Sequence, residues 1–478
     1  MPSCPTRRQA LGAAAGALLA ARTLHAAEAE KPMRPPNFIV ILCDNLGYGD
    51  IACFGSTKHR TPHLDRMAAQ GIKLTSFYAT SGVCTPSRAS LLTACYPRRV
   101  NLHVNERGGA VLFPVSSKGL HPDEATIASV LAARGYATAC IGKWHLGDQP
   151  PFLPTRHGFG LYFGIPYSDD MTERPAQGWP PLPLMRGEEV IEAPADRNTL
   201  TRRYTDEAIR FIEANRDKPF FLYLPHAMPG STRAPFASEA FRGKSANGPY
   251  GDAVEELDWS TGEILAALKR LGIEEQTLVL WTSDNGAFQG SAGSNAPLRG
   301  WGYTTEEGGM RVPAIARWPG HIPPGATCGE LCSTMDLLPT FARLAEAPLP
   351  PGRAIDGRDI SPLLAAHQGA KSPHEAFFFY YLGQLQAVRS GHWKLYLPLD
   401  KKWINFRGDT RPAPAELYDL EADISEKANL AAQHPDVVAR LLAFAEKARE
   451  DLGDIGRQGK GQRPPGHAPN PTPRTLGK

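Results

Sequence analysis

Five short apolar runs, each passing straight into a loop and separated by helix-forming sequence, constrain this chain more than any other feature. After Asn37 the run Phe-Ile-Val-Ile-Leu-Cys leads into Asp44-Asn45-Leu46-Gly47-Tyr48-Gly49-Asp50. An unbroken apolar run of this length reads as a strand buried on both faces. Thr61-Pro62 then opens a helix with a capping residue and proline at its first position, and Gly71 closes it. Asp123–Arg134 predicts a second helix ended by Gly135, and the strand Tyr136–Ile141 leads into Gly142-Lys143-Trp144-His145. A helix near 200–215 precedes the strand Phe220–Leu224, which ends in Pro225-His226. A helix of about 252–271 precedes Thr277–Trp281 and the loop Ser283-Asp284-Asn285-Gly286. The strand Val312–Arg317 ends in Trp318-Pro319-Gly320. Strands alternating with helices predict a doubly wound α/β sheet covered on both faces. In such sheets ligands bind beyond the carboxyl ends of the strands. Asp44, Asn45, Lys143, His145, His226, Asp284 and Asn285 therefore fall on one rim. A lone Asn or Asp after a strand is an ordinary turn residue; all seven on one rim make a candidate site.

Past residue 350 the pattern changes. Phe377–Leu382, Leu385–Ser390 and His392–Leu397 are short runs with tight turns between them and read as antiparallel strands, with Pro398 ending the last. Leu417-Tyr418-Asp419-Leu420 follows, then a helix over Pro435–Asp451. The 478 residues thus divide into an export signal (1–29), a catalytic domain (30–350), a smaller C-terminal α+β domain (351–455) and an extended tail (456–478) with five Gly and five Pro in 23 positions. Of the formal charge of +3, +2 lies in residues 1–29 and +5 in residues 456–478, leaving −4 on the body between them. A weakly acidic body gives no electrostatic case for a nucleic-acid partner.

Thr6-Arg7-Arg8-Gln9-Ala10-Leu11, followed by the Ala-rich run Gly12–Ala21, has the form of a bacterial twin-arginine signal, with cleavage near Ala26 or after Ala27-Glu28-Ala29. A disordered basic tail is the competing reading. The run is too short to span a bilayer, and no other run reaches the length of a membrane helix. The expected product is exported, periplasmic or extracellular. Export removes Cys4 and leaves seven cysteines: Cys43, Cys53, Cys84, Cys95, Cys140, Cys328 and Cys332. Cys328 and Cys332 are spaced for a local disulfide, and Cys43 and Cys140 lie in apolar runs as buried thiols. An odd count flags one thiol with another role.

Residues 83–93 read Val-Cys-Thr-Pro-Ser-Arg-Ala-Ser-Leu-Leu-Thr, which closely resembles the sulfatase signature Cys-x-Pro-Ser-Arg followed by Leu-Thr. The resemblance covers about residues 36–450. It includes Gly142–Gly147, Arg156–Phe159, Thr282–Gly286, Glu307–Pro313 and Leu417–Leu420; Gly164–Ser168 looks like the arylsulfatase A and N-acetylgalactosamine-6-sulfatase branch. It implies an alkaline-phosphatase-like large mixed sheet flanked by helices. It also implies that Cys84 is converted by a formylglycine-generating or equivalent maturation enzyme to formylglycine, whose hydrate attacks sulfur. By the same carry-over, Asp44, Asn45, Cys84, Asp284 and Asn285 hold a calcium ion, an assignment consistent with oxygen donors and against zinc. Arg88 steadies the centre and Lys143 binds the sulfate. His145 takes the proton that expels sulfate, Asp284 activates the diol, and His226 protonates the leaving oxygen. The implied substrate is a sulfated carbohydrate or an aryl sulfate.

Three positions depart from the pattern. Asn45 stands where the family usually has Asp, Ala94 where the signature usually ends in Gly, and Gly302 where the family often has Lys. Loss of that cation leaves His226 alone with the leaving group, or assisted by Tyr303. Two other readings remain open: hydrolysis of a phosphate or phosphonate ester on the same scaffold, and binding of sulfated glycans without turnover. The loops 100–118, 165–200, 228–250 and 286–303 carry selectivity, and Tyr167, Trp179 and Trp301 are candidates for stacking on sugar rings.

Overall fold

The strand Asn37–Asp44 is buried at every position. Phe38, Val40 and Leu42 face one layer with Leu91, Leu92, Leu131 and Phe341; Ile39, Ile41 and Cys43 face the other with Leu64, Met67, Leu257 and Ile264. Period-two alternation with apolar residues on both faces requires helices on both sides of the sheet. The computed structural model describes residues 34–404 and 409–477, so the segment read as an export signal lies outside the described residues.

The large sheet has eleven strands. Five run parallel at its centre, in the order Thr277–Ser283, Asn37–Asp44, Phe220–Pro229, Ala137–Ile141 and Leu161–Gly164. Arg311–Arg317 lies antiparallel between Thr277–Ser283 and Ile72–Tyr78, which makes the sheet mixed. The helices Cys84–Thr93, Ile127–Ala132 and Leu337–Leu344 cover one face; Pro62–Ala69, Leu200–Ala214 and Gly248–Arg270 cover the other. The second helix is shorter than expected because Thr126 caps it, its side chain accepting from Ser129 N at 3.0 Å.

One strand departs from expectation in a way that matters. Phe220–Pro229 does not stop at Leu224. Pro225 pairs with Leu42, the register shifts, and Pro229 pairs with Asp44. A bulge of this kind lets proline sit inside a ladder. His226 is therefore a strand residue and not a rim-loop residue.

The C-terminal sheet is antiparallel, in the order Phe377–Tyr381, Gln384–Ser390, Trp393–Tyr396 and Glu416–Asp419, and the helix Pro435–Asp451 buries Leu441, Ala445 and Ala448 against it. Tyr78, Tyr96, Met310 and Met335 of the large sheet's layer share this core. The last segment is extended but docked: Gly466–His467 pairs with Lys118–Gly119, and Arg463 meets Glu124 at 2.7 Å. The expected Cys328–Cys332 disulfide does not form; both are free thiols, on short strands that run side by side with Ile72–Tyr78. Among the described residues no helix is long and apolar enough to cross a membrane.

Candidate active site

Cys84 is the first residue of a ten-residue helix in which every side chain is buried. Its neighbour Pro86 occupies the first turn, where a missing N–H costs nothing. One turn on, Arg88 lies on the same helical face as Cys84. Its three nitrogens are all engaged: Nη2 with Asp44 Oδ2 at 2.7 Å, Nε with Asp284 Oδ2 at 2.9 Å, and Nη1 with the Lys143 carbonyl at 2.7 Å. Lys143 Nζ reaches the same Asp44 oxygen at 2.5 Å and donates to Ser168 Oγ at 3.1 Å. Two carboxylates thus face two cations in a fully buried cluster, the only arrangement in which burying such charges is affordable.

Backbone geometry brings these groups together. Gly142 has φ +136°, and a Cβ there would stand 2.0 Å from the Pro225 carbonyl oxygen, so only glycine lets the chain turn toward the centre before Lys143. Asp284 N donates to the Cys43 carbonyl at 3.0 Å, which ties the second strand's rim to the first. Asn45 adopts φ +56°, a conformation Asn tolerates, and its amide N–H donates to Asp284 Oδ1 at 3.1 Å. The Cys84 sulfur lies 3.9 Å from Asp44 Oδ1 and 3.8 Å from Asn45 Oδ1.

Burial pushes each carboxylate up, and the cations decide the outcome. Lys143 and Arg88 hold Asp44 below the usual range despite burial. Burial and the Asp44 charge push Asp284 up to about 6, so of the pair it is the one that accepts a proton near neutral pH. Burial, then Lys143 and Arg88, push His145 well below its usual value, so the ring is neutral. Its Nε2 lies 3.0 Å from the Leu112 carbonyl, which can only accept, so Nε2 carries the proton. Nδ1, buried and without a partner among the described residues, presents a lone pair. The chain therefore holds a proton acceptor beside Lys143.

Asp44, Asn45, Asp284 and Asn285 suit a hard cation. Ligand atoms of Asp44, Cys84 and Asp284 lie within 4.8 Å of one another. Asn285 Oδ1 is buried with no hydrogen-bond partner among the described residues, and its Nδ2 donates to Asn45 Oδ1. An unpaired buried carbonyl oxygen on the residue after Asp284 fits oxygen coordination.

Eight of the expected residues thus meet: Asp44, Asn45, Cys84, Arg88, Lys143, His145, Asp284 and Asn285. His226 does not. As a strand residue on the opposite face from the Cys84 helix, it faces Gly248–Arg270, where its Nε2 lies 3.3 Å from Ser260 Oγ and its ring 6.3 Å from Tyr204. Burial alone holds it near 3, with no contribution from the charged cluster.

Gly302 is no simple deletion of a side chain. Its N–H donates to the Ala287 carbonyl at 2.8 Å, and a Cβ there would stand 2.4 Å from the Gly286 carbonyl oxygen, so this loop has no room for lysine. Tyr303, at φ +69°, turns inward instead. Its hydroxyl lies 3.0 Å from Ser231 Oγ, and that oxygen accepts from Asn45 Nδ2 at 2.8 Å. Burial and nearby Cys84 push the Tyr303 hydroxyl well up, so it stays protonated. Ser231 and Ser168 escaped the sequence reading. Ser168 closes the Gly164–Ser168 run and could have been found there; Ser231 carries no motif.

Residues 36–347 match the sulfatase family model, and residues 303–450 match the C-terminal model described as N-sulphoglucosamine sulphohydrolase. The chain belongs to the sulfatase family. Human arylsulfatase A is 40% identical over 449 residues, covering 85% of this chain and 86% of that protein. Mouse N-acetylgalactosamine-6-sulfatase is 40% identical over 80% of this chain and 76% of its own length; mouse steryl-sulfatase is 40% identical over 76% and 71%. Among solved structures, the PsFucS1 sulfatase from Pseudoalteromonas superposes with a TM-score of 0.77 at 27% identity, covering 93% of this chain and 94% of that one. Ps i-CgsB, solved in complex with k-i-k-neocarrahexaose, superposes with a TM-score of 0.72 at 30% identity, covering 87% and 92%. The large mixed sheet is the alkaline-phosphatase-like fold of these sulfatases. By class, then, the chain is a sulfuric ester hydrolase.

Proposed function

We propose that this sulfatase cleaves the sulfate ester of a sulfated carbohydrate or aryl sulfate with residue 84 in the formylglycine form, after maturation by a formylglycine-generating or equivalent enzyme. The observation that carries the reading is the position of Cys84: first residue of a buried helix, its sulfur under 4 Å from Asp44 and Asn45, with Arg88 and Lys143 against the same carboxylate. Hydration of the aldehyde gives residue 84 two hydroxyls. One attacks sulfur; loss of the other's proton expels sulfate and restores the aldehyde, which a serine at this position lacks the second hydroxyl to do.

The geometry supports the remaining roles in this reading. Asp284, held near 6, takes the proton of the attacking hydroxyl. Lys143 offers a buried ammonium to the sulfate oxygens, steadied by Asp44 and Ser168. Arg88 fixes both carboxylates. His145 Nδ1 accepts the proton whose loss expels sulfate. Asp44, Asn45, Asp284 and Asn285 would hold calcium, which supplies Lewis-acid polarisation of the sulfate and of the residue 84 hydroxyls. Twin arginines at Arg7 and Arg8 support export of the protein to the periplasm or beyond.

Sulfate release from a panel of sulfated mono- and oligosaccharides and aryl sulfates tests this reading against Cys84→Ala. Turnover lost in the variant is expected. Unchanged turnover overturns the reading; cleavage of phosphate or phosphonate esters alone transfers the site to that chemistry, and binding without turnover to the glycan-binding alternative.

A further inference from the structure

With His226 facing the opposite helix layer and no side chain possible at 302, neither of those two positions supplies an acid to the ester oxygen. We propose that Asp169 supplies it, protonating the bridging oxygen of the sulfate ester as its bond to sulfur breaks, a role that rests on the sulfatase reading of the same centre.

Asp169 follows Ser168, the residue that accepts from Lys143 Nζ. Its side chain is fully buried, and neither carboxyl oxygen has a hydrogen-bond partner among the described residues. A buried carboxyl without partners is costly to keep in a folded chain and marks a group kept for a ligand. Its place is fixed by Gly230: a Cβ there would stand 3.0 Å from Asp169 Oδ1, so the carboxyl lies over that glycine. Gly230 in turn donates its N–H to the Asp44 carbonyl at 2.9 Å, and the next residue, Ser231, holds Asn45. The Asp169 carboxyl therefore stands at the carboxyl ends of the central strands, on the rim of the Lys143 centre. Arg197, whose Nη1 donates to the Asp169 main-chain carbonyl at 3.3 Å, also lines a cleft of about 360 Å³ with Thr172, Glu173, Asn198 and Phe236. The sulfate would occupy the Lys143 side and the leaving group the cleft, with the bridging oxygen between them at Asp169.

The groups that face Asp169 are Asp170, Lys143, Asp44, Arg197 and Tyr204. Burial, then Asp170, raise its carboxyl to about 7, against Lys143. It thus carries a proton at and below neutral pH, as an acid must. In the step, the residue 84 oxygen bonds to sulfur and the sulfur–ester bond breaks. The electron pair stays on the ester oxygen, which takes the Asp169 proton. The carboxylate left behind regains a proton from water on the side of half-buried Asp170.

The test measures kcat/KM for a series of aryl sulfates of graded leaving-group acidity, in mature wild type and in Asp169→Asn. The variant is expected to lose about 10²–10⁴-fold on the poorest leaving group and little on a nitrophenol, so that its dependence on leaving-group acidity steepens. The wild type alone gives a second readout: turnover of poor leaving groups falls above about pH 7, while that of nitrophenyl sulfate does not. Loss spread equally over the series, no loss, or identical pH profiles overturns the role of Asp169 while leaving the sulfatase reading intact. A wild type with residue 84 matured that cleaves no member of the series defeats the sulfatase reading, and this role with it.

Discussion

Glu307→Gln removes one charge from a buried cluster that joins the large sheet to the C-terminal sheet. Glu307 Oε1 meets Lys394 Nζ at 2.8 Å, and Oε2 accepts from the Tyr78 hydroxyl at 2.5 Å and lies 3.3 Å from Arg311 Nη1. Arg389 donates to that same Tyr78 hydroxyl. Burial works against the carboxylate, but Lys394, Arg311 and Arg389 hold it at about 2. Against an unfolded value near 4.3, that depression is linked to about 3 kcal/mol of stability. Removal of one partner from a buried ion pair independently predicts about 3–5 kcal/mol. Because the folded value is depressed, the contribution is complete above the unfolded value and is lost as pH falls through the folded one. Denaturant unfolding of wild type and variant should therefore show a gap of about 3–5 kcal/mol from pH 8 to pH 5 that closes on acidification. The same change should cut turnover, because Lys394 Nζ also donates to the Thr305 carbonyl at 3.1 Å and so pins the loop that carries Tyr303. A gap below about 1 kcal/mol at neutral pH, or one that does not narrow in acid, would refute the reasoning.

Asn45→Asp adds a third carboxylate where two are already matched by Arg88 and Lys143. The metal-free variant should melt lower, and calcium should raise its melting temperature more than it raises that of wild type, with affinity at least about tenfold tighter. Equal calcium shifts in both proteins would remove Asn45 from the cation site. His226→Gln should leave the dependence of kcat/KM on leaving-group acidity unchanged, since His226 contacts Ser260 and not the charged centre; a steepened dependence would restore it as the acid.

The parts of this account legible in the sequence are those in which local pattern and tertiary environment agree. Phe38–Cys43 needs no outside information, since an apolar run flanked by polar loops has only the sheet interior to occupy. The rim residues Asp44, Lys143 and Asp284 followed from the strands that carry them. Reading Pro225 as a strand end displaced His226 onto the rim; the ladder instead absorbs the proline through a register shift that one sequence does not display. The strand Ile72–Tyr78 is not legible in the sequence because Lys73, Thr75 and Ser76 break its apolar pattern, although it pairs with Arg311–Arg317 in the large sheet. Asp169 shows the other limit. Nothing distinguishes it from Asp170 in sequence; its interest lies in burial and in the absence of partners, which only the packed loops create.

Peptide mass spectrometry across residue 84 in active protein, purified from its natural producer, tests the central claim most directly. The account predicts a peptide carrying the aldehyde of formylglycine, lighter than the cysteine form, in proportion to activity. Full activity with cysteine alone at residue 84 would contradict it.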